Sequence, residues 1–269
     1  MTGYETSIGA SDETSITLLG HDLAGDLLGR VSFGELAFWL VAMRRPTAGE
    51  LRLFEAVLVA LADHGLTPSA IAARLTLTGA PEAFQGALAA GLLGGGSRFL
   101  GVTEDCGRFL AAALAAHQEA LAVDEPQDGP GATAGWDEIA ANAVRAAAAS
   151  RRLVPGLGHP RHKTADPRTP VILRIAEEEG LRGPHLRLLE AVGRVHPAII
   201  GRTLPVNGAG VCGAALADLG FPLATLRGFA LLARTAGLLG HLAEEARRPI
   251  GPEIYRDVDD ATRYVPPAR

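Results

Sequence analysis

Lysine is all but missing: of the 25 basic residues in this 269-residue chain, only Lys163 is a lysine and the rest are arginine. Arginine in place of lysine, alongside abundant alanine and glycine, most simply reflects genome composition. Cysteine is nearly as scarce. Cys106 and Cys212 are the only two, which excludes a disulfide scaffold and a Cys-rich metal site. Long apolar runs are missing too, since no window reaches the roughly 18 consecutive apolar residues of a membrane span. The opening MTGYETSIGASDETSITLLG has neither the basic region nor the apolar run of a signal peptide. The expected location is therefore the cytoplasm, with no membrane association. An excess of positive charge is also absent. The net charge of −5 gives no reason to expect a nucleic-acid partner. Dinucleotide-binding GxGxxG, Walker, HExxH, GxSxG and paired CxxC motifs do not occur.

What is present is a foldable, helix-patterned chain. It is 48% hydrophobic and 20% charged, with a mean hydropathy of +0.18, which argues against disorder. Residues 50–63 place Leu51, Phe54, Val57, Leu58 and Leu61 on one helical face. Thr47 with Glu50 three residues on reads as a capping box. Further helices are expected over 32–43, 68–75, 81–93, 105–122, 136–151, 170–179, 184–195, 208–219, 222–237 and 239–247. Runs of alternating β-branched residues are lacking, so the expected fold is all-α. Only 5% of residues are aromatic, and the 33 glycines suit helices that approach closely. The stretch 124–135 (DEPQDGPGATAG) reads as an exposed linker or loop.

Polar chemistry concentrates beside three breaks: Gly94–Gly96, 154–170 and 204–210. Segment 154–170 (VPGLGHPRHKTADPRTP) packs His159, His162, Lys163, Asp166, Arg161 and Arg168 among four prolines. Its cations suit a carboxylate or phosphate ligand, although a solvated surface loop is the competing reading. His64, in ADHG, reads on its own as a helix-terminal histidine that satisfies carbonyls. Arg234 and His241 are seven apart and share a helix face if Gly237 and Gly240 do not break it. An arginine among leucines and alanines needs an anion, supplied by the protein or by a ligand. His159 and His162 are spaced like metal ligands, but Pro160 rules out a regular helix there, so no metal is expected.

Six segments taken together resemble the citrate synthase superfamily, in its short citryl-CoA lyase branch, which includes the C-terminal module of ATP-citrate lyase. They are GHDLAGDLLGRVSFGELAFWLVAMRRPTAGE, LADHGLTPSAIAAR, GLLGGGSRFLG, VPGLGHPRHKTADPR, LPVNGAG and FALLARTAGLLGHLAEE, in the family order. The resemblance implies a helical homodimer with a large domain (1–104 and 222–269). A small domain (105–221), inserted into it, carries the GLGHP and LPVNG loops. It implies metal-free Claisen-type chemistry on a CoA thioester and a di- or tricarboxylate, with CoA as part of the substrate and no permanently bound cofactor.

Residue by residue, the resemblance makes His159 the catalytic histidine on the substrate oxygen, taking or giving its proton. It makes His64 a substrate-binding histidine, and Arg168 and Arg234 the carboxylate binders. Arg152, Arg161 and Lys163 become candidates for the CoA phosphates. Two departures stand out. Phe99 replaces the histidine that citrate synthases use on the enol, which favours the lyase branch, although Ser97 and Leu100 depart from that branch's own motif. Asn207 stands where the family has the aspartate that moves the carbon-bound proton. An amide is no base, so Asn207 is expected to donate a hydrogen bond to an enolate oxygen, with Glu104, His162 or Asp166 moving the proton. The leading expectation is a lyase for citryl-CoA or a related ester. The alternatives are lyase or synthase chemistry on a non-citrate CoA ester, and a catalytically degenerate CoA- or dicarboxylate-binding paralogue.

Overall fold

The computed structural model describes residues 3–121 and 132–267. Most of the expected linker 124–135 lies outside the described residues; its last four residues open α6. Eleven α-helices account for most of what is described: α1 (Phe33–Ala42), α2 (Ala48–Ala62), α3 (Pro68–Gly79), α4 (Phe84–Gly95), α5 (Val102–Leu121), α6 (Ala132–Ala149), α7 (Arg168–Glu178), α8 (Pro184–Ile200), α9 (Gly208–Asp218), α10 (Leu226–Arg247) and α11 (Gly251–Ala261). The helical reading holds, and the capping box at Thr47 and Glu50 opens α2. Three features differ from expectation. A single helix, α10, runs over Leu226–Arg247 in place of the two expected over 222–237 and 239–247. No helix is expected after Arg247, yet α11 forms there. An exposed antiparallel sheet of β1 (Gly9–Ser11), β2 (Ile16–Leu18) and β3 (His21–Asp22) precedes the helices, in the order β1-β2-β3.

The core forms around α9, whose sequence GAGVCGAALAD is buried over almost its whole length. Small residues allow its neighbours to come close. A Cβ on Gly213 would collide with the backbone carbonyl of Thr103 on α5. Four phenylalanines, Phe38, Phe54, Phe221 and Phe229, pack with ring centroids 4.4 to 5.5 Å apart. This cluster is continuous with Leu110, Leu189, Val211 and Leu216, so helices on both sides of the expected domain division share one core. A second, smaller cluster joins α3, α4 and α10 through Ala70, Ala73, Ala87, Leu238 and Leu242. Among the described residues, no helix is long and apolar enough to cross a membrane.

Candidate active site

The first wall of the site is the turn between α2 and α3, which carries His64. Asp63 ends α2 in an extended conformation, and its Oδ2 accepts the Gly65 amide at 2.8 Å. Gly65 takes a φ of +74°, which costs a glycine little. Thr67 then caps α3, with Pro68 in the first turn. Helix α10 lies against this turn. Its Arg234 donates to the Leu61 carbonyl at 3.3 Å and to Thr67 Oγ1 at 3.4 Å.

Two loops that cross in front of α9 form the second wall. Gly158 donates its amide to the Pro205 carbonyl, and Asn207 donates its own to that of Gly156, each at 2.8 Å. Leu157 and Val206 form a single antiparallel bridge between them. Gly156 and Gly158 have φ of +87° and +79°, so the GLG segment needs its glycines to turn here. Asn207 is the N-cap of α9: its Oδ1 accepts the Gly210 amide and its Nδ2 donates to the Gly158 carbonyl, both at 2.8 Å. The side chain expected to face an enolate is thus also the clip that holds the GLGHP loop. One Nδ2 hydrogen remains free of these contacts.

Together these walls bring His64, His159 and His162 into one cluster. Ring centroids lie 4.4 Å apart for His159–His162, 4.8 Å for His64–His159 and 5.4 Å for His64–His162. One nitrogen from each ring falls within 4.8 Å of the others, close enough to draw around a cation. The hydrogen bonds indicate a different role for His159. Its Nδ1 accepts the backbone amides of Arg161 at 3.1 Å and His162 at 3.0 Å. The ring proton therefore sits on Nε2, which makes His159 a donor toward an oxygen. Burial, reinforced by the neighbouring His64 and His162, pulls the His159 pKa down to about 4. Burial and the charge of Arg168 also lower that of His64. At neutral pH both rings are uncharged.

The two arginines differ sharply. Arg168 forms a bidentate pair with the buried Asp166, through Nε at 3.0 Å and Nη2 at 2.7 Å, and Nη1 reaches the Ala60 carbonyl at 3.1 Å. Asp166 also accepts the amides of Arg168 and Gly208. Despite its burial, these bonds hold its pKa below the usual carboxylate range, so it remains an acceptor and does not exchange a proton at neutral pH. Arg234, only 7% exposed, has no carboxylate partner among the described residues, and its buried Nε makes no hydrogen bond to them. Burial pushes its pKa down; Asp63 opposes this from a distance, and the like charge of Arg168 adds to it.

The remaining candidates lie further out. Arg161 and Lys163 are exposed on the histidine loop, where Lys163 Nζ donates to the His159 carbonyl at 3.2 Å. Arg152 lines an apolar groove of about 490 Å³ between α5 and α6, with Phe109 and Ile139. Glu104 is paired with Arg108 at 2.8 Å on α5. Phe99 is 42% exposed on a π-helical turn, Gly96–Leu100. Of the three proton carriers considered from sequence, only His162 stands in the cluster. Asp63 and Thr67 were not singled out from sequence, although both flank His64 in ADHGLTP and Thr67-Pro68 is a legible helix start.

A family model described as citrate synthase, C-terminal domain, matches residues 30–256. The chain belongs to the citrate synthase family. Citryl-CoA lyase from Hydrogenobacter thermophilus is 28% identical, with a TM-score of 0.82 over 99% of this chain and 96% of that one. An ATP citrate lyase of Methanosaeta concilii, a D541A mutant solved with (3S)-citryl-CoA, shares the fold at 22% identity and a TM-score of 0.75. That match covers 99% of this chain and 42% of the larger protein. Citrate synthase from Thermotoga maritima is 18% identical with a TM-score of 0.66, over 89% of this chain and 59% of that one. Comparison with curated protein sequences returns no match. The citrate synthase-family match covers every segment built into the two walls of the site.

Proposed function

We propose that this citrate synthase-family lyase splits a tertiary 2-hydroxyacyl-CoA, citryl-CoA first among them, into an acyl-CoA and a 2-oxo acid. The observation that carries the reading is Arg234, a buried guanidinium with no carboxylate partner among the described residues, held on the turn that presents His64. A buried cation of this kind is costly unless an anion completes it. The remaining N–H groups of Arg168 supply a second positive contact, and together the pair suits a polycarboxylate. In support, the relative matched almost end to end is a citryl-CoA lyase.

In this reading the ester's carboxylates sit on Arg234 and Arg168, and His64 binds beside them. His159 donates its Nε2 hydrogen to the substrate hydroxyl oxygen, and the two amides on its Nδ1 stabilise the neutral ring as charge develops. That tautomer shifts the role of base away from His159. His162, stacked 4.4 Å from it, takes the hydroxyl proton. The oxygen electron pair forms the 2-oxo carbonyl as the carbon–carbon bond breaks. The bonding pair passes to the acyl-CoA carbon as a thioester enolate, which the free Nδ2 hydrogen of Asn207 steadies. His162 then returns its proton to that carbon, so no external acid is consumed. Residues 105–221 act as the small domain of a homodimer, and Arg161, Lys163 and Arg152 are the candidates for the CoA phosphates.

Purified protein mixed with citryl-CoA should release oxaloacetate, followed by its reduction with a coupled dehydrogenase. No release above background, with citryl-CoA bound intact, overturns the citrate-specific reading. Arg234→Met should lower kcat/KM by about 100-fold, chiefly through KM, since two charge-assisted hydrogen bonds are lost. Lys163→Ala should weaken CoA binding more than citrate binding, and equal effects remove Lys163 from the phosphate site. Asn207 favours a second reading, a different CoA ester whose carbanion needs no strong base. If Asn207→Asp gains citryl-CoA cleavage while the parent has none, that second ester is the substrate.

A further inference from the structure

We infer that His241 is a positioning residue for His64, acting through the Asp63 carboxylate in a tautomer imposed by the buried Arg74; the inference rests on the reading of His64 as the substrate-binding histidine. Arg74 on α3 is 1% exposed, and it is surrounded by the acids of α10. Its Nη1 donates to Glu245 Oε2 at 2.8 Å, and its Nη2 pairs with Glu244. Its Nε and Nη2 also lie 3.2 and 2.9 Å from Nδ1 of His241. A guanidinium has only donors, so His241 Nδ1 must accept and its hydrogen must sit on Nε2. That hydrogen points to Asp63 Oδ1 at 2.9 Å. Asp63 in turn accepts the amide of Gly65 at 2.8 Å, so its carboxylate closes the turn on both sides of His64.

The geometry of α10 makes this linkage specific. Arg234, Gly237 and His241 lie on one face of the helix and meet three consecutive residues of the turn. Arg234 holds the Leu61 carbonyl. Gly237 leaves room for Ala62, whose carbonyl would collide with a Cβ there. His241 holds Asp63. The residue that follows is His64. At its other end, Glu245 accepts the amides of Ile250 and Gly251 at 3.0 and 2.7 Å, tying the start of α11 to the same network. The Asp63 side chain is 45% exposed, and a hydrogen bond that open to water adds little to stability. Its contribution is orientation, since a substrate group misplaced by about 1 Å can cost on the order of 100-fold in rate.

Arg74 is a poor probe, because removing it strands Glu245 in the interior. His241→Leu and His241→Gln are better, since Gln keeps an acceptor for Arg74 and a donor for Asp63 while Leu keeps neither. Citrate binding by calorimetry, kcat and KM on citryl-CoA, and Tm should be measured for both, for His64→Ala, and for His64→Ala combined with His241→Leu. We expect His241→Leu to lose about tenfold in citrate affinity or kcat/KM with Tm almost unchanged, and Gln to retain most of both. In the His64→Ala background the Leu substitution should add no further loss. The same loss without His64, or a Gln variant as poor as Leu, overturns the inference. If the parent protein neither binds citrate nor cleaves citryl-CoA, the functional reading fails separately. The positioning is then judged from the His64 ring resonances in ¹⁵N-imidazole spectra: a shift in His241→Leu supports it, and no shift overturns it.

Discussion

A ring nitrogen that already accepts two backbone amides has little capacity to take up a proton as well. For His159, burial of the ring and the nearby His64 and His162 imidazoles put its pKa down to about 4 against an ordinary histidine value of about 6.5, and the two amides on Nδ1 favour the same neutral form. Between those values the unfolded chain binds a proton that the folded chain refuses. The stability contributed here is complete above pH ~6.5 and is lost as pH falls toward ~4. Denaturant melts across that window should show a steeper acid-side decline for the parent than for His159→Gln. By NMR the His159 ring should titrate near 4, and a midpoint near 6.5 would refute the assignment. The two cysteines are buried and their thiols are pushed up to about 12, chiefly by burial. Alkylating reagents should therefore label neither until the protein unfolds. The family resemblance makes His64, His159, Arg168 and Arg234 legible as a group. It does not show that Asp166 occupies Arg168 while Arg234 meets no acid among the described residues, because that depends on which side chains the turns bring together.

At the scale of the element, the helix α10 shows how a sequence signal can point the wrong way. Gly237 and Gly240 read as a break because glycine weakens a helix interior. In the structure α10 runs through both, and Gly237 serves the crossing with the end of α2. A methyl group at that position meets backbone, which cannot yield. Gly237→Ala should cost about 1–3 kcal/mol in denaturant melts and reduce citrate affinity as well, since it pushes α10 off the turn that carries His64. Gly240→Ala is the control: nothing lies near its Cβ position, so it should be neutral or mildly stabilising. The β1–β3 sheet escaped the sequence reading for a different reason. Its strands are two or three residues long and largely exposed, too short to show an alternation. Helix α11 was missed because its signal is a charged, mostly exposed stretch with Pro252 in its first turn.

Across the whole molecule, one aliphatic and aromatic core joins α1 to α10, with a smaller cluster between α3, α4 and α10, which is why helical period sufficed for the all-α class while the family fold was legible only through the resemblance. Pattern reading captures what many residues share. The position of one cation depends on a few contacts distant in sequence, such as those from Arg234 to Leu61 and Thr67. That cation also affects stability. A buried arginine without an anion is electrostatically costly, so binding a carboxylate there should raise the stability of the protein. Arg234→Met should melt higher than the parent without ligand, by about 1 kcal/mol or more, even as catalysis collapses. Malonate or citrate should raise the parent's melting temperature and leave the variant's unchanged. The site would then act as a thermal sensor of its own occupancy, with the protein most stable when its substrate is abundant.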